Sequence, residues 1–217
     1  MAKAPVAGQV KTRLVPQISP TEAADLSRAL LVDQLQHLSG SPGVDLYLAF
    51  SPHEARTVME QLAPAVFQLF PQEGDDLGAR MGGVFERLFA TGYKRIILIG
   101  GDLGPIPFDF LEQAYAFLES ERGRVVLGPA RDGGYYLVGA NQSVPQMFEE
   151  MSWSHSRVLA QTRAKLAALE IEHHLLPVWF DVDTLEDLRY LESALEPVKE
   201  KAANTLKLLQ RLKLSGE

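Results

Sequence analysis

The chain has 217 residues, no cysteine, and 28 Asp+Glu against 21 Lys+Arg, for a formal charge of −7. That length suits one domain with a core large enough to fold without disulfides or a structural metal. Lacking cysteine, it can use neither thiolate catalysis nor Cys-ligated zinc or iron–sulfur clusters, which fits a reducing, cytoplasmic setting, and its acidity argues against nucleic acid as the main partner.

Residues 1–20 read as a loop, broken by Pro5, Gly8, Pro16 and Pro20 and without the apolar core of a signal peptide. Thr21 is a plausible N-cap for a helix running to His37, with Leu26, Leu30, Leu31 and Leu35 at helical spacing. After Gly40, Pro42 and Gly43, residues 44–50 (VDLYLAF) alternate as a strand. A helix over residues 52–62 and a short strand over 66–70 follow. Asp76 opens another helix, with Leu77, Met81, Val84, Phe85 and Leu88 on one face and Gly92 as its stop. Residues 94–100 (KRIILIG) form the clearest buried strand. Beyond it come a helix at 107–119, strands at 124–127 and 135–138, a helix at 156–169, a strand at 171–176 and a helix at 185–195 capped by Thr184.

Strands alternating with helices imply an α/β fold on a largely parallel sheet. No apolar run approaches the ~18 residues of a membrane span, and there is no repeat or low-complexity tract. The chain divides into a domain over residues 1–195 and a C-terminal amphipathic helix over 196–217. In that helix Leu206, Leu209 and Leu212 share a face, and Lys199, Lys201, Lys207, Arg211 and Lys213 make it basic. Packing back on the domain is the simplest role for it; a homo-oligomer contact or a membrane-surface helix is the alternative.

In open α/β sheets, ligands bind beyond the carboxyl ends of strands. Four segments bring chemistry there. In the first, Lys3, Gly8, Lys11 and Arg13 place three cations and a flexible backbone point before a helix. This is either a polyphosphate clamp or a solvated basic loop; it is not a Walker A loop. Asp102, in Gly100-Gly101-Asp102, is either a ligand for a divalent cation or a capping carboxylate. Residues 128–136 (GPARDGGYY) make either a plain hairpin turn or a pocket wall for an acceptor. Asp181 and Asp183, at spacing two, are either further metal ligands or part of a helix cap. Among the histidines, His37 and His53 are expected to face solvent, and the adjacent His173 and His174 to point opposite ways in a strand. His155 lies near a helix start. Neither G-x-S-x-G nor G-x-G-x-x-G occurs.

In order, KAPVAGQVKTRL, DLGARM, the strand ending GGD, GPARDGGYYLVG, Trp153-Ser154 and DVDTLEDL resemble the radical-SAM/selenodomain-associated transferase family, also labelled a glycosyltransferase family. The resemblance spans about residues 2–188. Its first and last elements are also similar to 2-phospho-lactate guanylyltransferase and the molybdenum-cofactor nucleotidyltransferases. It implies a Rossmann-like GT-A, nucleotide-diphospho-sugar transferase fold, with helices on both faces of a mostly parallel sheet. Lys3, Gly8, Lys11, Arg13, Asp76 and Arg80 would then meet nucleotide phosphates. Asp102, Asp181 and Asp183 would hold Mg²⁺ or Mn²⁺. Asp132, Gly133, Gly134, Tyr135 and Trp153 would bind the acceptor, with Asp102, Asp132 and Lys11 carrying catalysis.

The sequence departs from that family in three places. The family's apolar strand before K-A-P is missing, which suggests a start upstream of Met1 or a truncated chain. G-S-D-C-P is GGDLGP here, and W-S-T is W-S-His155. The implied partners are a nucleotide or nucleotide-sugar and a small-molecule acceptor. The implied activity is metal-dependent transfer from a nucleotide-activated substrate, glycosyl transfer first and nucleotidyl transfer second. A non-catalytic nucleotide-binding protein is the reading from a different class.

Overall fold

The computed structural model describes residues 1–15, 17–153 and 155–212, with the backbone alone at residues 185, 192, 194 and 197. The chain forms two compact units. The first combines Met1–Pro71, Gly101–Pro107 and the chain from Asp181 onward; the second combines Gln72–Gly100 and Phe108–Phe180.

The first unit is built on a three-stranded sheet in the order β1-β2-β3, where β1 is Ala2–Lys3, β2 is Leu46–Ser51 and β3 is Phe67–Pro71. Every pairing is parallel: Ala2 lies opposite Phe50, and Leu46 opposite Phe67. Ala2 and Lys3 thus pair as a two-residue strand within a segment that reads as a loop because it is too short to show periodicity. Helix α1 (Pro20–Leu38) joins β1 to β2, and α2 (Arg56–Leu62) joins β2 to β3. Phe50, Leu31, Leu35, Leu48, Met59 and Phe67 pack as one apolar cluster.

Helix α1 starts earlier than the sequence suggests. Its N-cap is Ser19, whose hydroxyl accepts from the Glu22 N–H while the Glu22 carboxylate accepts from the Ser19 N–H, and Pro20 occupies the first turn. That reciprocal pair satisfies two donors that a cap at Thr21 would leave open.

The C-terminal part comprises α6 (Leu185–Ala194), a 3₁₀ segment (Glu196–Lys201) and α7 (Ala203–Leu212). Helix α7 packs on α1 and buries Leu208 and Leu209. Its first-turn N–H groups at Asn204 and Thr205 donate to the Asp33 carboxylate at 3.1 and 2.8 Å, and Arg211 pairs with Asp25 at 2.7 Å. Lys213, expected on its basic face, lies outside the described residues.

His37 is buried rather than solvent-facing, because α1 is covered on a second side by chain distant in sequence. Its Nε2 donates to the Ile106 carbonyl at 2.7 Å. Burial holds its pKa below the ordinary histidine value, against the pull of that carbonyl and with help from Lys201.

The second unit holds a four-stranded sheet in the order β4-β6-β5-β7: β4 is Ile96–Ile99, β5 Arg124–Pro129, β6 Tyr135–Ala140 and β7 Glu172–Leu175. Only β6 is reversed, running antiparallel to β4 and β5, while β7 is parallel to β5. Val125, Val126 and Leu127 are fully buried, as a central apolar strand requires. Helices α3 (Leu77–Ala90), α4 (Phe108–Leu118) and α5 (Val158–Ala168) belong to this unit. Asp76 caps α3 by accepting from the Ala79 N–H at 2.8 Å. Met81, Val84, Phe85 and Leu88 are buried on one face, whereas Leu77, in the first turn, is exposed. His173 and His174 do face opposite sides of β7: His173 meets Arg163, and His174 lies against the Phe117 ring.

Candidate functional site

The charged residues singled out in the first unit converge. Lys11 stands just before a 3₁₀ turn (Thr12–Leu14) with its backbone in the left-handed region, at φ 49° and ψ 35°. A residue with a Cβ holds that conformation at a cost, so packing must enforce it. Leu14, fully buried, donates its N–H to the Lys11 carbonyl at 2.9 Å and anchors the turn. Upstream, Gly8 has φ 76°, and Lys3 Nζ donates to the Gln9 carbonyl at 2.8 Å, closing the loop on itself.

The Lys11 side chain is only 3% exposed. Its Nζ donates to the Asp102 carbonyl at 3.2 Å and lies 3.4 Å from Asp102 Oδ2 and 3.3 Å from Asp183 Oδ1. Arg13 Nη1 lies 3.3 Å from the other Asp183 oxygen. Burial works against the Lys11 charge, but Asp102, Asp183 and then Asp181 outweigh it and raise its pKa above the ordinary lysine value.

Local structure frees these carboxylates for that work. Helix α6 is capped by Thr184, which forms a reciprocal box with Asp187; the same Asp187 carboxylate also accepts from the Asp183 N–H at 3.1 Å. Asp183 is thereby relieved of capping and its backbone is fixed. Sequence reasoning missed the contact of Asp187 to Asp183; the T-L-E-D capping-box signature is the signal that would have found it. Asp102 precedes α4 by six positions, too far to cap it. A Cβ on Gly101 would come within 2.6 Å of Ala2 Cβ and 2.8 Å of the Met1 carbonyl oxygen, so glycine lets the Asp102 segment lie against β1.

Asp102, Asp181 and Asp183 each offer an oxygen, and these atoms lie within 4.8 Å of one another. Three carboxylates are a hard oxygen set of the kind Mg²⁺ and Mn²⁺ prefer. The residues present therefore fit such a cation.

The remaining sequence-identified residues lie in the second unit, where Asp76, Arg80, Asp132, Gly133 and Gly134 have local hydrogen-bond partners. Asp76 caps α3, and Arg80 Nε donates to the Gly74 carbonyl at 3.0 Å. In the β5–β6 hairpin, Asp132 Oδ1 accepts from the Gly134 N–H at 2.8 Å, and Gly133 has φ 88°. A side chain on Gly133 would strike the Ser156 carbonyl. The Gly133 carbonyl accepts from the Leu159 N–H at 2.9 Å, which docks the turn on the start of α5. Burial pushes the Tyr135 hydroxyl pKa well up, with Thr162 pulling the other way. The Trp153 indole lies over Gly78 so closely that any larger residue there would collide with it. His155 Nδ1 accepts from the Arg157 N–H at 3.0 Å, a local helix-start contact.

The sequence matches, over residues 34–155, the family described as "Uncharacterized protein conserved in bacteria (DUF2064)". That stretch includes Asp102 but not Lys11, Arg13, Asp181 or Asp183. No curated protein matches the chain. Among solved structures, a crystal structure from Desulfovibrio desulfuricans G20, provisionally named a nucleotide-diphospho-sugar transferase, superposes with a TM-score of 0.85 at 31% identity, covering 97% of this chain and 94% of that one. The 4-diphosphocytidyl-2C-methyl-D-erythritol synthase of Anaerococcus prevotii DSM 20548 has a TM-score of 0.54 at 8% identity, over 95% and 93% of the two chains, a likeness of fold alone. The match over more than half of the sequence, together with the 31% identical structure along nearly all of it, means that this chain belongs to the DUF2064 family and has the nucleotide-diphospho-sugar transferase fold.

Proposed function

We propose that the protein is a divalent-metal-dependent transferase that uses a nucleotide-activated substrate, with a sugar as the group transferred. The convergence of Lys11 and Arg13 with Asp102, Asp181 and Asp183 carries this reading. Cations and carboxylates at one place suit a polyphosphate that arrives with its own metal ion. The name of the Desulfovibrio relative, 31% identical, supports a nucleotide-sugar as donor.

Bound at Asp102, Asp181 and Asp183, Mg²⁺ or Mn²⁺ would supply Lewis-acid stabilisation of charge on phosphate oxygens. Lys11 and Arg13 would bind and orient the same phosphates: the lysine as a compact point charge, the arginine as a planar fork. Because Lys11 is buried, its charge is screened little by solvent, and its field at a departing nucleoside diphosphate is correspondingly strong. Gly8 would let the loop backbone approach the nucleotide, with Lys3 holding the loop closed. Asp76 and Arg80 retain the proposed role of nucleotide contacts. For Asp132, Gly133, Gly134, Tyr135 and Trp153 the proposed role is acceptor binding.

Product analysis tests the proposal. Incubation with nucleotide-sugars and Mn²⁺ should release nucleoside diphosphate from one of them, and Asp102→Asn or Lys11→Met should lower that rate by about 10²-fold or more. Release of pyrophosphate from an NTP and a phosphorylated acceptor would select nucleotidyl transfer instead. Nucleotide binding without turnover of either kind would make the protein a non-catalytic binder.

A further inference from the structure

The Lys11 ammonium stands where a metal ion would have to coordinate. Its Nζ is 3.4 Å from Asp102 Oδ2 and 3.3 Å from Asp183 Oδ1, and it also donates to the Asp102 carbonyl at 3.2 Å. Arg13 occupies the second oxygen of Asp183. Two of the three carboxylates that fit a divalent cation are therefore already neutralised by cations of the chain itself.

We propose that Lys11 is an internal counter-ion of the carboxylate cluster, and that a divalent cation enters only as Lys11 gives up these carboxylates. The inference rests on the metal-dependent reading of the site and adds an order of events to it.

Geometry and charge both require the exchange. A Mg²⁺ or Mn²⁺ ion needs the carboxylate lone pairs at about 2.0–2.3 Å. An ammonium bonded to the same oxygens competes for those lone pairs and repels the ion at a separation of a few ångströms. With the lysine side chain 3% exposed, little water screens that repulsion. Lys11 then needs a new acceptor, and phosphate oxygens supply one for a three-donor point charge. A polyphosphate that draws Lys11 away leaves the carboxylates to the metal, so polyphosphate and metal each favour the other's binding, by the reciprocity of linked equilibria. The free protein should accordingly hold metal weakly, with the ammonium held by Asp102 and Asp183 until that exchange.

Two measurements on the full chain test this without reference to turnover. In the first, binding of Mn²⁺ alone is followed by the loss of the free-ion EPR signal. Lys11→Met should bind Mn²⁺ about tenfold or more tighter than the unsubstituted protein, since one repelling charge is gone, and adding Asp183→Asn to it should remove the gain. In the second, the unsubstituted protein is treated with an amine-acetylating reagent and Lys11 is read by peptide mass spectrometry. Lys11 should be protected without metal and acetylated several times faster at saturating Mg²⁺. Equal Mn²⁺ affinity in the two proteins, abolished by Asp183→Asn, would overturn the counter-ion role while leaving the metal site intact. Lys11 equally protected at saturating Mg²⁺ would overturn it as well, even if the methionine variant does not fold. Absence of Mn²⁺ binding in both proteins would overturn the metal-dependent reading and the inference together.

Discussion

Lys11 is a buried ammonium held by groups from distant parts of the chain. A buried ammonium is tolerated only because two carboxylates and a carbonyl meet it. Its pKa is raised in the folded protein, so the sign of the linkage is set. The stabilisation is complete below the unfolded-lysine value, about pH 10.4, and is lost as pH climbs through the higher folded value. Arg13 stays charged over that range and cannot produce the same loss. Denaturant unfolding between about pH 9 and 11.5 should show a steeper alkaline decline for the unsubstituted protein than for Lys11→Met. Equal slopes would mean that Lys11 is not charged against its carboxylates. The pairing itself is not legible from spacing, because 91 positions separate Lys11 from Asp102 and 172 separate it from Asp183. Sequence reasoning finds the partners one at a time, through the strand-end rule and the family resemblance, and assigns them separate duties: lysine to phosphate, aspartate to metal. Only the folded chain makes them neighbours.

Among the elements, α7 depends on a contact that no helix periodicity reveals. Asp33 is 1% exposed on α1 and accepts from the backbone N–H groups of Asn204 and Thr205 and from the Asn204 side chain at 2.7 Å. It caps one helix from the middle of another. Asp33→Ala should cost about 2–3 kcal/mol, the scale of a lost cap with buried donors left unsatisfied. Arg211→Ala should cost less than about 1 kcal/mol, since the Arg211–Asp25 pair is solvent-exposed. Urea unfolding measures both, and proteolysis should cut first near residues 203–212 in the Asp33 variant; equal costs for the two would refute the capping role. Regular elements are legible wherever periodicity runs long enough. The strands at Leu46–Ser51 and Ile96–Ile99 and the helices at Leu77–Ala90 and Phe108–Leu118 stand within a few residues of their sequence readings. The two-residue β1 carries no pattern to read. Thr21 competes with Ser19 as N-cap in the sequence, and the S-x-x-E box of Ser19 with Glu22 decides between them. Reversal of β6 follows from the Asp132-Gly133 turn, a hairpin signal that competes with the parallel order suggested by alternating strands and helices. His37 is buried because α1 is covered from two sides, and hydrophobic spacing reports one face at a time.

For the molecule as a whole, the charge of −7 conceals a local arrangement of both signs that is suited to a polyphosphate and a cation together. No helix among the described residues is long and apolar enough to cross a membrane. A ligand that binds only the folded chain raises its stability by mass action, so the site can be interrogated through global unfolding. At a nucleotide concentration about 100 times Kd the gain is about 2.7 kcal/mol. For a chain of this size that gain corresponds to a rise of about 5–11 °C in Tm. The rise should appear with one class of nucleotide or nucleotide-sugar and should require Mn²⁺ or Mg²⁺. In Asp102→Asn the metal-dependent part should vanish, while the unliganded Tm stays within a few degrees of the parent. That small change is expected because the Asp102 side chain is 51% exposed and Lys11 keeps its partner in Asp183. A shift of equal size without any divalent cation would leave nucleotide binding in place but remove the carboxylate cluster from it. A panel of NTPs and nucleotide-sugars that gives no shift under either condition would remove the nucleotide itself from the account of this fold.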